Sequence, residues 1–241
     1  MSGRARMVIY GRNPVKEALR GRRAVHRVWA SAAAVREPWL AQVGPDAADD
    51  REIEALCASA EHQGVCAEVD PYPYVDARGL LKTPDALVIC LDEVQDPHNL
   101  GAVCRVAECA GAAGLVIPER RSAEVSAAAC KASAGAVEHL AVGRVRNMAD
   151  YLEWAKHEEA WVYGASSDGA TPYERPDYRG RVLLVLGSEG RGLRPRVAAT
   201  CDELVALPLR GRIDSLNVST AAAALMYGIL QLRARALDKS P

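Results

Sequence analysis

From residue 86 onward, short apolar runs alternate with segments of helical periodicity. Apolar runs of about four to eight residues are typical of buried strands, and apolar residues three or four positions apart are typical of helices. The predicted strands are residues 86–91, 115–117, 140–145, 160–165, 182–186 and 204–207. The predicted helices are residues 99–110, 123–133, 148–157, 194–200 and 215–237, and residues 168–181 are expected to form an exposed loop. This alternation predicts an α/β fold with a mostly parallel sheet.

The first 75 residues carry a shorter pattern of the same kind. Asn13 and Pro14 predict the start of a helix that runs to residue 20, because Asn caps helices and Pro lacks an N–H that the first helical position leaves unused. The other predicted elements are a strand at 25–30, an amphipathic helix at 49–63 that Gly64 ends, and a strand at 65–69. These elements predict a small N-terminal α/β unit.

Prolines are concentrated between residues 71 and 84, where they prevent a helix from continuing and stiffen the chain. We therefore place a domain boundary in this stretch. The expected division is an N-terminal domain at residues 1–75, a linker at 76–85 and a larger domain at 86–241.

Glycine-rich and polar segments follow two of the predicted strands. The apolar run at 183–186 leads into the turn GSEGRGL at 187–193, where three glycines let the backbone approach a ligand closely. The strand at 204–207 is followed by a loop that delivers Ser215, Leu216 and Asn217 to the start of the last helix. Because the carboxyl ends of strands form the ligand crevice of an open α/β sheet, we expect both loops in one site. Two ordinary turns and a helix cap would explain the same residues.

A nicotinamide dinucleotide site is the competing interpretation of the glycine-rich turn. That fingerprint occupies the first βα turn of its domain and is followed about twenty residues later by an acidic residue. Here the turn comes late in the domain, and no acidic residue at the end of a strand is evident. The pattern therefore disfavours a nicotinamide site.

The composition is typical of a globular protein, with 49% hydrophobic and 25% charged residues in a chain of 241 residues. No apolar run reaches the length of a membrane span, and the N-terminus lacks the apolar segment of a secretory signal, so we expect a cytoplasmic protein. The seven cysteines include no CxxC pair. We expect them to be reduced residues of the core, with no zinc or other metal site.

Charge is unevenly distributed, although the formal net charge is only -1. Residues 1–30 contain Arg4, Arg6, Arg12, Lys16, Arg20, Arg22, Arg23 and Arg27 against the single acid Glu17. Residues 37–70 contain Glu37, Asp46, Asp49, Asp50, Glu52, Glu54, Glu61, Glu68 and Asp70 against the single base Arg51. This asymmetry favours one phosphate-facing surface and one solvated face, although two solvated faces would give the same sequence.

Three separated segments carry a specific resemblance. They are LDEVQDPHNLGAVCRVAECAG at 91–111 (motif 1), LGSEGRGL at 186–193 (motif 2) and LPLRGRIDSLNVSTAAA at 207–223 (motif 3). In this order and spacing they resemble the signature motifs of the SpoU (TrmH-type) RNA ribose 2′-O-methyltransferases of the SPOUT superfamily. The resemblance covers residues 87–232, and GRNPVKEAL at 11–19 resembles the start of the substrate-binding domain in the ribosomal-RNA branch of that family.

The resemblance implies a C-terminal trefoil knot, in which residues 207–219 thread through a preceding loop. The hydrophobic pattern itself would not predict a knot, since knots are nearly absent from proteins. The resemblance also implies an L30e-like N-terminal domain, a homodimer formed through the catalytic domains, S-adenosylmethionine as the cofactor and no metal.

Three sets of site residues are predicted, the first two implied by the resemblance and the third chosen for its positive charge around the motif loops and in the basic N-terminal domain. The catalytic set is Asn99, Arg105, Glu189, Ser215 and Asn217. The cofactor-binding set is Gly187, Glu189, Gly190, Gly192, Leu207, Leu209 and Leu216, whose apolar members would enclose an adenine. The RNA-binding set is Arg12, Lys16, Arg191, Arg210 and Arg212, and Arg194 and Arg196 add positive charge around the same loops.

Each catalytic candidate has a chemical role and an ordinary structural alternative. Arg105 lies among small apolar residues, where an unpaired buried guanidinium would be costly, and the alternative is a solvated side chain. We expect it to stabilise an alkoxide and the adjacent phosphate, because guanidinium groups retain their proton. Asn99 either caps its helix or binds the substrate, and Ser215 and Asn217 at a helix N-terminus suit a phosphate. Glu189 is expected to organise its loop, since carboxylates are poorly matched as bases to a hydroxyl.

The resulting prediction is an S-adenosylmethionine-dependent 2′-O-methyltransferase of RNA that acts on a guanosine of large-subunit (23S) ribosomal RNA. Because the chain has no Phe and only 5% aromatic residues, we expect RNA binding through phosphate contacts rather than base stacking. A transfer-RNA enzyme and a thiostrepton-resistance-type ribosomal-RNA enzyme would carry the same motifs. A catalytically silent RNA-binding assembly factor is the non-enzyme alternative, which the complete set of motif residues disfavours.

Overall fold

The computed structural model describes residues 6–167 and 171–237, which form two β-sheets flanked by helices. The strands are β1 Met7–Tyr10, β2 Val25–Ala30, β3 Asp46–Ala47, β4 Val65–Val69, β5 Leu87–Asp92, β6 Gly114–Pro118, β7 Val142–Val145, β8 Trp161–Ala165, β9 Thr171–Pro172, β10 Val182–Gly187 and β11 Glu203–Ala206. The α-helices are α1 Arg12–Ala18, α2 Pro38–Val43, α3 Asp50–Cys57, α4 Pro97–Cys109, α5 Ala127–Ala132, α6 Met148–His157, α7 Pro195–Thr200 and α8 Val218–Leu237. Short 3₁₀ helices lie at Ala34–Arg36, Ala77–Leu81 and Ala136–Glu138. The predicted α/β class is confirmed.

The larger sheet contains seven parallel strands within the described ranges, in the order β7-β6-β5-β10-β8-β11-β9. β5, β6 and β7 lie side by side in chain order toward one edge of the sheet. The chain then crosses over, and β8 lies on the other side of β5. The strand order therefore reverses between β5 and β10, and such a point opens a crevice at the carboxyl ends of the strands. Gly187 of β10 pairs in register with Asp92 of β5 at this end.

The two central strands are buried along nearly their whole length. Every residue of β5 is buried, as is every residue of β10 except its last, Gly187. Strands covered on both faces appear as continuous apolar runs because neither face meets water. For this reason both strands could be predicted from the sequence alone.

The smaller sheet has the order β1-β4-β2-β3 in the described part of the chain. β4 pairs antiparallel with β1 and β2, and β3 pairs parallel with β2. The hydrophobic pattern did not predict β1 or α2. The four residues of β1 are too few to show a period, and α2 is a six-residue helix that opens with Pro38.

Helix ends depart from the predicted ones where a polar side chain caps the helix at another position. α4 begins two residues earlier than predicted, because the Asp96 carboxylate accepts a hydrogen bond from the backbone N of His98 at 2.8 Å. α5 begins only after Ser126, whose side chain accepts from Ala129. Such caps satisfy backbone N–H groups that the helix leaves unpaired.

α3 is shorter than predicted and does not extend to Gly64. It begins with a capping box between Asp49 and Glu52 and ends at Cys57, where Ala58 adopts a left-handed backbone with a φ of 53°. The predicted loop at 168–181 also contains β9, which pairs with β11, while residues 168–170 lie outside the described residues.

A buried ion pair joins the N-terminal unit to the larger one. The side chains of Arg23 and Glu138 are each 1% exposed, and the Nε of Arg23 donates to Oε2 of Glu138 at 2.9 Å. Arg23 also donates to the Asp70 carbonyl and to Sγ of Cys130, each at 3.2 Å. Burial raises the pKa of the Cys130 thiol to about 12. Because apolar residues of both units also share one core cluster, the two units pack directly against each other.

The segment predicted as a linker, residues 76–85, is packed rather than free. Its 3₁₀ helix buries Ala77, Leu80 and Leu81 against the larger sheet. The hydroxyl of Tyr151 donates to the Ala77 carbonyl at 3.1 Å. The division of the chain at residues 75 and 86 itself remains a prediction.

The cysteines are free thiols, and Cys66, Cys90, Cys104 and Cys130 are buried as expected. Cys109 is an exception to the predicted core location, since it is exposed near the end of α4. Among the described residues, no group of three or more His, Cys, Asp or Glu side chains is arranged to hold a metal ion. The described helices include none with the length and hydropathy of a membrane span.

Candidate active site

The glycine-rich turn after β10 is closed on one side and open on the other. The backbone N of Gly192 donates to the Ser188 carbonyl at 2.9 Å, and Gly190 and Gly192 have φ angles of 76° and 66°. A Cβ on Gly187 would lie 2.1 Å from the carbonyl carbon of Gly192. In contrast, no described atom lies within 4 Å of a Cβ built on Gly190 or Gly192. Gly187 therefore permits the tight turn, whereas the other two glycines provide the left-handed backbone and leave it accessible.

Asp92, at the carboxyl end of β5, holds the far end of this turn. It is fully buried and accepts from Arg194 through the backbone N at 2.9 Å, Nε at 2.8 Å and Nη2 at 2.5 Å. Hydrogen bonding to Asp92 raises the pKa of the Arg194 guanidinium. Glu93 lies 3.2 Å from Nη1 of the same arginine.

The expectation that no acidic residue stands at a strand end was therefore wrong. Asp92 directly follows the apolar run of β5 in motif 1 and is paired in register with Gly187. Its position in the sequence was the available signal. Its partner could not be found in the same way, because Arg194 lies 102 residues away and the order of the strands was unknown.

Asn99, Glu189 and Asn217 form a hydrogen-bonded cluster that joins the three motifs. Nδ2 of Asn99 donates to Oε1 of Glu189 at 3.1 Å, and Nδ2 of Asn217 donates to Oδ1 of Asn99 at 3.0 Å. Nδ2 of Asn217 also donates to Oε1 of Glu189 at 2.5 Å. Asn99 is 8% exposed, whereas Glu189 and Asn217 are exposed. The structure therefore brings together three of the five predicted catalytic residues.

Asn217 also caps α8. Its Oδ1 accepts from the backbone N of Ser219 at 2.8 Å and from the Ser219 hydroxyl at 2.6 Å. This cap explains why α8 begins at residue 218, three residues later than predicted. Ser215 lies outside the helix, is exposed, and donates from Oγ to Oδ1 of Asp214 at 3.3 Å.

The segment between β11 and α8 has an exposed backbone. Residues 207–216 make no backbone hydrogen bond with any described residue. Among the predicted cofactor-binding residues, Leu209 and Leu216 are 38% and 44% exposed, and Leu207 is half-buried. This loop offers apolar side chains next to unpaired backbone groups, a combination suited to an amphipathic ligand.

Arg105 projects from the exposed side of α4 and makes no hydrogen bond or ion pair with the described residues. The expectation that it is buried among apolar residues is wrong for a single chain. Arg105 follows Asn99 by six residues, which places the two side chains about 120° apart around the helix and about 9 Å apart along it. Within one chain, Arg105 therefore points away from the cluster that contains Asn99.

The other predicted cationic residues around the motif loops fall into two groups. Arg191, Arg210 and Arg212 are exposed and make no ion pair in the described part of the chain. Arg194 is held by Asp92, and Arg196 lies 2.5 Å from Oδ1 of Asp150. The first group is available to an anionic ligand, whereas the second stabilises the fold.

The N-terminal charged runs pair with each other, contrary to the interpretation of separate phosphate-facing and solvated faces. The ion pairs are Arg6 with Glu68, Arg12 with Glu37 and Arg27 with Asp46, while Arg20 pairs with Glu17. Nε2 of His26 is also hydrogen-bonded to Oδ1 of Asp70 at 2.7 Å. Residues distant in sequence meet across the smaller sheet, which a linear charge pattern does not reveal. Lys16 is half-buried without a described partner, and Arg4 lies outside the described residues.

Two parts of the chain match known protein families. Residues 86–227 match the SpoU rRNA Methylase family, and residues 8–75 match the family described as RNA 2′-O ribose methyltransferase substrate binding. The first match contains Arg105 and the whole Asn99–Glu189–Asn217 cluster.

Several proteins are similar to this chain over most of its length. The putative TrmH family tRNA/rRNA methyltransferase YacO of Bacillus subtilis is 35% identical over 239 residues, covering 93% of this chain and 95% of that protein. A putative TrmH family tRNA/rRNA methyltransferase of Staphylococcus haemolyticus is 33% identical, covering 97% and 99%. An uncharacterised tRNA/rRNA methyltransferase of Synechocystis is 36% identical over 94% of this chain, which spans only 62% of that protein.

Solved structures share the fold of the whole chain. The SpoU methyltransferase AviRb from Streptomyces viridochromogenes, crystallised in complex with AdoMet, superposes with a TM-score of 0.81 at 22% identity, covering 95% of this chain and 91% of that one. A putative RNA methyltransferase of the TrmH family from Porphyromonas gingivalis gives a TM-score of 0.74 at 26% identity, covering 93% and 89%. Both similarities therefore include the smaller sheet as well as the larger one.

Proposed function

Because the chain belongs to the SpoU rRNA methylase family, we propose that it transfers the methyl group of S-adenosylmethionine to the 2′-hydroxyl of a ribose in RNA. The observation that carries this proposal is the hydrogen-bonded cluster of Asn99, Glu189 and Asn217. One residue from each motif meets at the edge of the sheet where a ligand crevice is expected. A purely structural role would not require that all three motifs converge at this edge.

The residues around the glycine-rich turn fit S-adenosylmethionine by their chemistry. The accessible backbone of Gly190 and Gly192, together with the unpaired backbone of residues 207–216, offers hydrogen-bonding groups to a polar ligand. Leu207, Leu209 and Leu216 offer apolar surface to an adenine ring. When bound, the cofactor supplies an electrophilic methyl group. Gly187 keeps the turn compact, and Asp92 anchors its far end through Arg194.

We assign the remaining catalytic roles to polar residues around this pocket. The Asn99–Glu189–Asn217 cluster holds the loops of motifs 1, 2 and 3 in one arrangement. Ser215 has an exposed hydroxyl near the start of α8 and is suited to bind the phosphate next to the reacting ribose. The guanidinium of Arg105 stabilises the negative charge that develops on the 2′-oxygen as the hydroxyl proton passes to solvent water, and it retains its own proton.

We further infer that Arg105 reaches the site from a second copy of the chain. In one chain it points away from Asn99, from the exposed side of α4. α8 packs against α4, and Ile213 and Tyr227, in and beside motif 3, are 75% and 46% exposed. Exposed apolar side chains on α8 and on the loop before it, together with an unpaired arginine on the helix against which α8 packs, suit an isologous homodimer in which each chain completes the site of the other.

Ribosomal RNA, at a guanosine of the 23S molecule, is the substrate that we propose. The support is the match of residues 8–75 to a substrate-binding family that accompanies ribose methyltransferases. Transfer RNA is the alternative, since the related proteins are named as tRNA/rRNA methyltransferases. We place the reaction in the cytoplasm, where these RNA substrates reside.

We also propose that residues 207–219 form the trefoil knot of this family. The support is that, after β11, the chain returns past β8 and brings Asn217 to Asn99 and Glu189, a return that an unthreaded crossover would also make. The knot would place the loop of motif 3 against the turn of motif 2 without any disulfide or metal.

The proposal is tested by methyl transfer from radiolabelled S-adenosylmethionine to unmodified transcripts of 23S ribosomal RNA and of transfer RNA. We expect incorporation into the 23S transcript, and we expect Arg105→Ala to lose about 100-fold or more in rate while calorimetry shows unchanged cofactor affinity. Incorporation into transfer RNA alone would replace the substrate assignment. Tight RNA binding without transfer to any RNA would favour an assembly factor instead.

A further inference from the structure

Exposed arginines continue along the carboxyl edge of the larger sheet, away from the motif loops. Arg120 and Arg121 follow β6, and Arg146 follows β7, and all three side chains are exposed. We call these three residues the edge arginines. The backbone N of Glu119 donates to the Val145 carbonyl at 2.8 Å, so the residues that follow β6 and β7 are neighbours in space.

This edge is continuous with the candidate active site. Nη1 of Arg121 lies 3.7 Å from Oε1 of Glu93, and the same oxygen lies 3.2 Å from Nη1 of Arg194. The backbone N of Ala123 donates to the Val94 carbonyl at 2.8 Å. The loop after β6 therefore lies against the segment of motif 1 that leads to α4.

The loop after β6 also lies beside the N-terminal unit. The backbone N of Val125 donates to the hydroxyl of Tyr74 at 2.8 Å, and Arg144 stacks over the Tyr74 ring at 5.0 Å. α5, which follows this loop, contacts the N-terminal unit through Lys131, whose Nζ donates to the carbonyl of Glu61, in the turn before β4, at 2.8 Å. The edge arginines thus lie between the unit that we assign to substrate binding and the motif loops.

Most carboxylates of this edge form ion pairs with arginines other than Arg120 and Arg146. Glu93, with a 12% exposed side chain, lies between Arg121 and Arg194, and Asp92 is fully buried against Arg194. Glu124 is paired with Arg144 at 3.1 Å, and Asp150 with Arg196 at 2.5 Å. In the described part of the chain, the exposed carboxylates of this edge that form no ion pair are Asp96, Glu119 and Glu189, and those of Asp96 and Glu189 accept hydrogen bonds instead.

Arg120 and Arg146 are therefore cations without an ion-pair partner among the described residues. Neither forms a hydrogen bond or an ion pair with the residues that the structure describes. A guanidinium that serves folding is normally held by a carboxylate or a carbonyl, as Arg194 and Arg23 are here. Two unpaired guanidinium groups beside a site for an RNA substrate are typical of a surface that binds RNA phosphates.

Two residues of this edge, Glu93 and Arg121, have an unusual backbone conformation that determines where their side chains point. Glu93 and Arg121 both have left-handed backbones, with φ angles of 58° and 57°. Non-glycine residues are uncommon in this conformation, which is frequent at functional sites. The paired bends turn Arg121 across the end of β5, toward the motif loops.

We propose that Arg120, Arg121 and Arg146 bind successive phosphate groups of the RNA strand that leads to the reacting ribose. This inference rests on the proposed RNA methyltransferase function and extends it to a binding surface outside the three motifs. Strands of a sheet lie about 4.8 Å apart, so the edge from β7 to β10 spans about 14 Å. On each strand of a DNA duplex one phosphate occurs every ~3.4 Å of helix axis, so this span is long enough to accommodate more than one phosphate.

Salt-dependent RNA binding by charge-removal variants tests this surface. The test variant is Arg120→Gln/Arg146→Gln, and the control is Lys82→Gln/Arg235→Gln, which removes two exposed, unpaired cations of the larger unit that lie before β5 and at the end of α8, away from this edge. The probe is the fluorescently labelled transcript that the wild-type protein methylates best. We expect the test variant to bind about tenfold more weakly, and its slope of log Kd against log salt to fall by about 1.4–1.8.

The control variant should retain the wild-type affinity and slope, and both variants should retain the wild-type affinity for S-adenosylmethionine in calorimetry. Arg121→Gln should lose less than Arg120→Gln, because part of its charge is already neutralised by Glu93. An unchanged slope in the test variant would overturn the phosphate surface, whether or not the affinity changed. Failure of the wild-type protein to methylate RNA would instead refute the proposed function.

Discussion

Nδ2 of Asn99 donates a hydrogen bond to Oε1 of Glu189 at 3.1 Å across a sequence separation of 90 residues. The same carboxylate oxygen accepts from Nδ2 of Asn217, in motif 3. One side-chain oxygen therefore holds residues of motifs 1 and 3 against the turn of motif 2. Glu189 therefore couples the positions of the three loops, because it is hydrogen-bonded to a residue of each of the other two motifs.

Removal of the Glu189 carboxylate is expected to impair activity by releasing two amides. We expect Glu189→Ala to lose about 100-fold in kcat/KM and to bind S-adenosylmethionine more weakly. Glu189→Gln should lose less than about tenfold, because its side-chain oxygen still accepts hydrogen bonds. Initial rates and calorimetric titration measure these effects. Equal losses in both variants would show that the negative charge matters and that the positioning role is incorrect.

The bonds between Asp92 and Arg194 predict a defect in cofactor binding with little change in RNA binding. Asp92→Asn removes the buried carboxylate to which Arg194 donates and leaves this arginine only its contact with Glu93, so we expect a loss of about 1–3 kcal/mol in stability and a KM for S-adenosylmethionine raised about tenfold. Denaturant unfolding and steady-state kinetics measure the two quantities.

The control for this variant is Asp150→Asn, which breaks the exposed ion pair with Arg196. Both side chains of that pair are more than half exposed, at 61% and 67%, so the change should cost less than about 1 kcal/mol. Similar stability losses in Asp92→Asn and Asp150→Asn, or an unchanged KM for the cofactor in Asp92→Asn, would refute the anchoring role of Asp92.

The buried pair of Arg23 and Glu138 predicts a strongly non-additive effect on stability. Arg23→Met leaves a carboxylate buried without its partner, which should lower the free energy of unfolding by about 3–5 kcal/mol. Arg23→Met combined with Glu138→Leu should recover most of that loss, because no unpaired charge remains. Urea unfolding of the two single variants and the double variant measures the coupling, and additive losses would contradict it.

Several parts of this structure were accessible from the sequence. β5 and β10 could be located because buried parallel strands leave continuous apolar runs. Asn99, Glu189 and Asn217 could be chosen as site residues because they stand in the motifs that resemble a known family. Their mutual hydrogen bonds could not be predicted, since these depend on the side-chain geometry of three loops.

Other features depend on contacts that no linear pattern records. Asp92 acquires its role only when β5 and β10 become neighbours. Arg23 resembled an RNA-binding residue in a basic run, yet it lies buried against Glu138, 115 residues away. The apolar neighbours of Arg105 in the sequence predicted a buried side chain. In the structure this side chain lies on the exposed face of α4, because residues adjacent in sequence point in different directions around a helix.

Mixed dimers test whether Arg105 and Glu189 of one site come from different chains. Arg105→Ala and Glu189→Ala homodimers should both be nearly inactive. After equal amounts are dissociated and reassociated, half of the dimers should be mixed, and each mixed dimer should contain one intact site. We expect recovery of about one quarter of the wild-type activity. No recovery, despite mixed dimers in native mass spectrometry, would show that both residues act within one chain.

The most direct test is chemical identification of the methylated product. RNA incubated with the protein and isotopically labelled S-adenosylmethionine is digested to nucleosides and analysed by mass spectrometry. We predict that the labelled methyl group resides on the ribose, as 2′-O-methylguanosine from 23S ribosomal RNA. A labelled methyl group on a base, or no labelled nucleoside at all, would contradict the central claim.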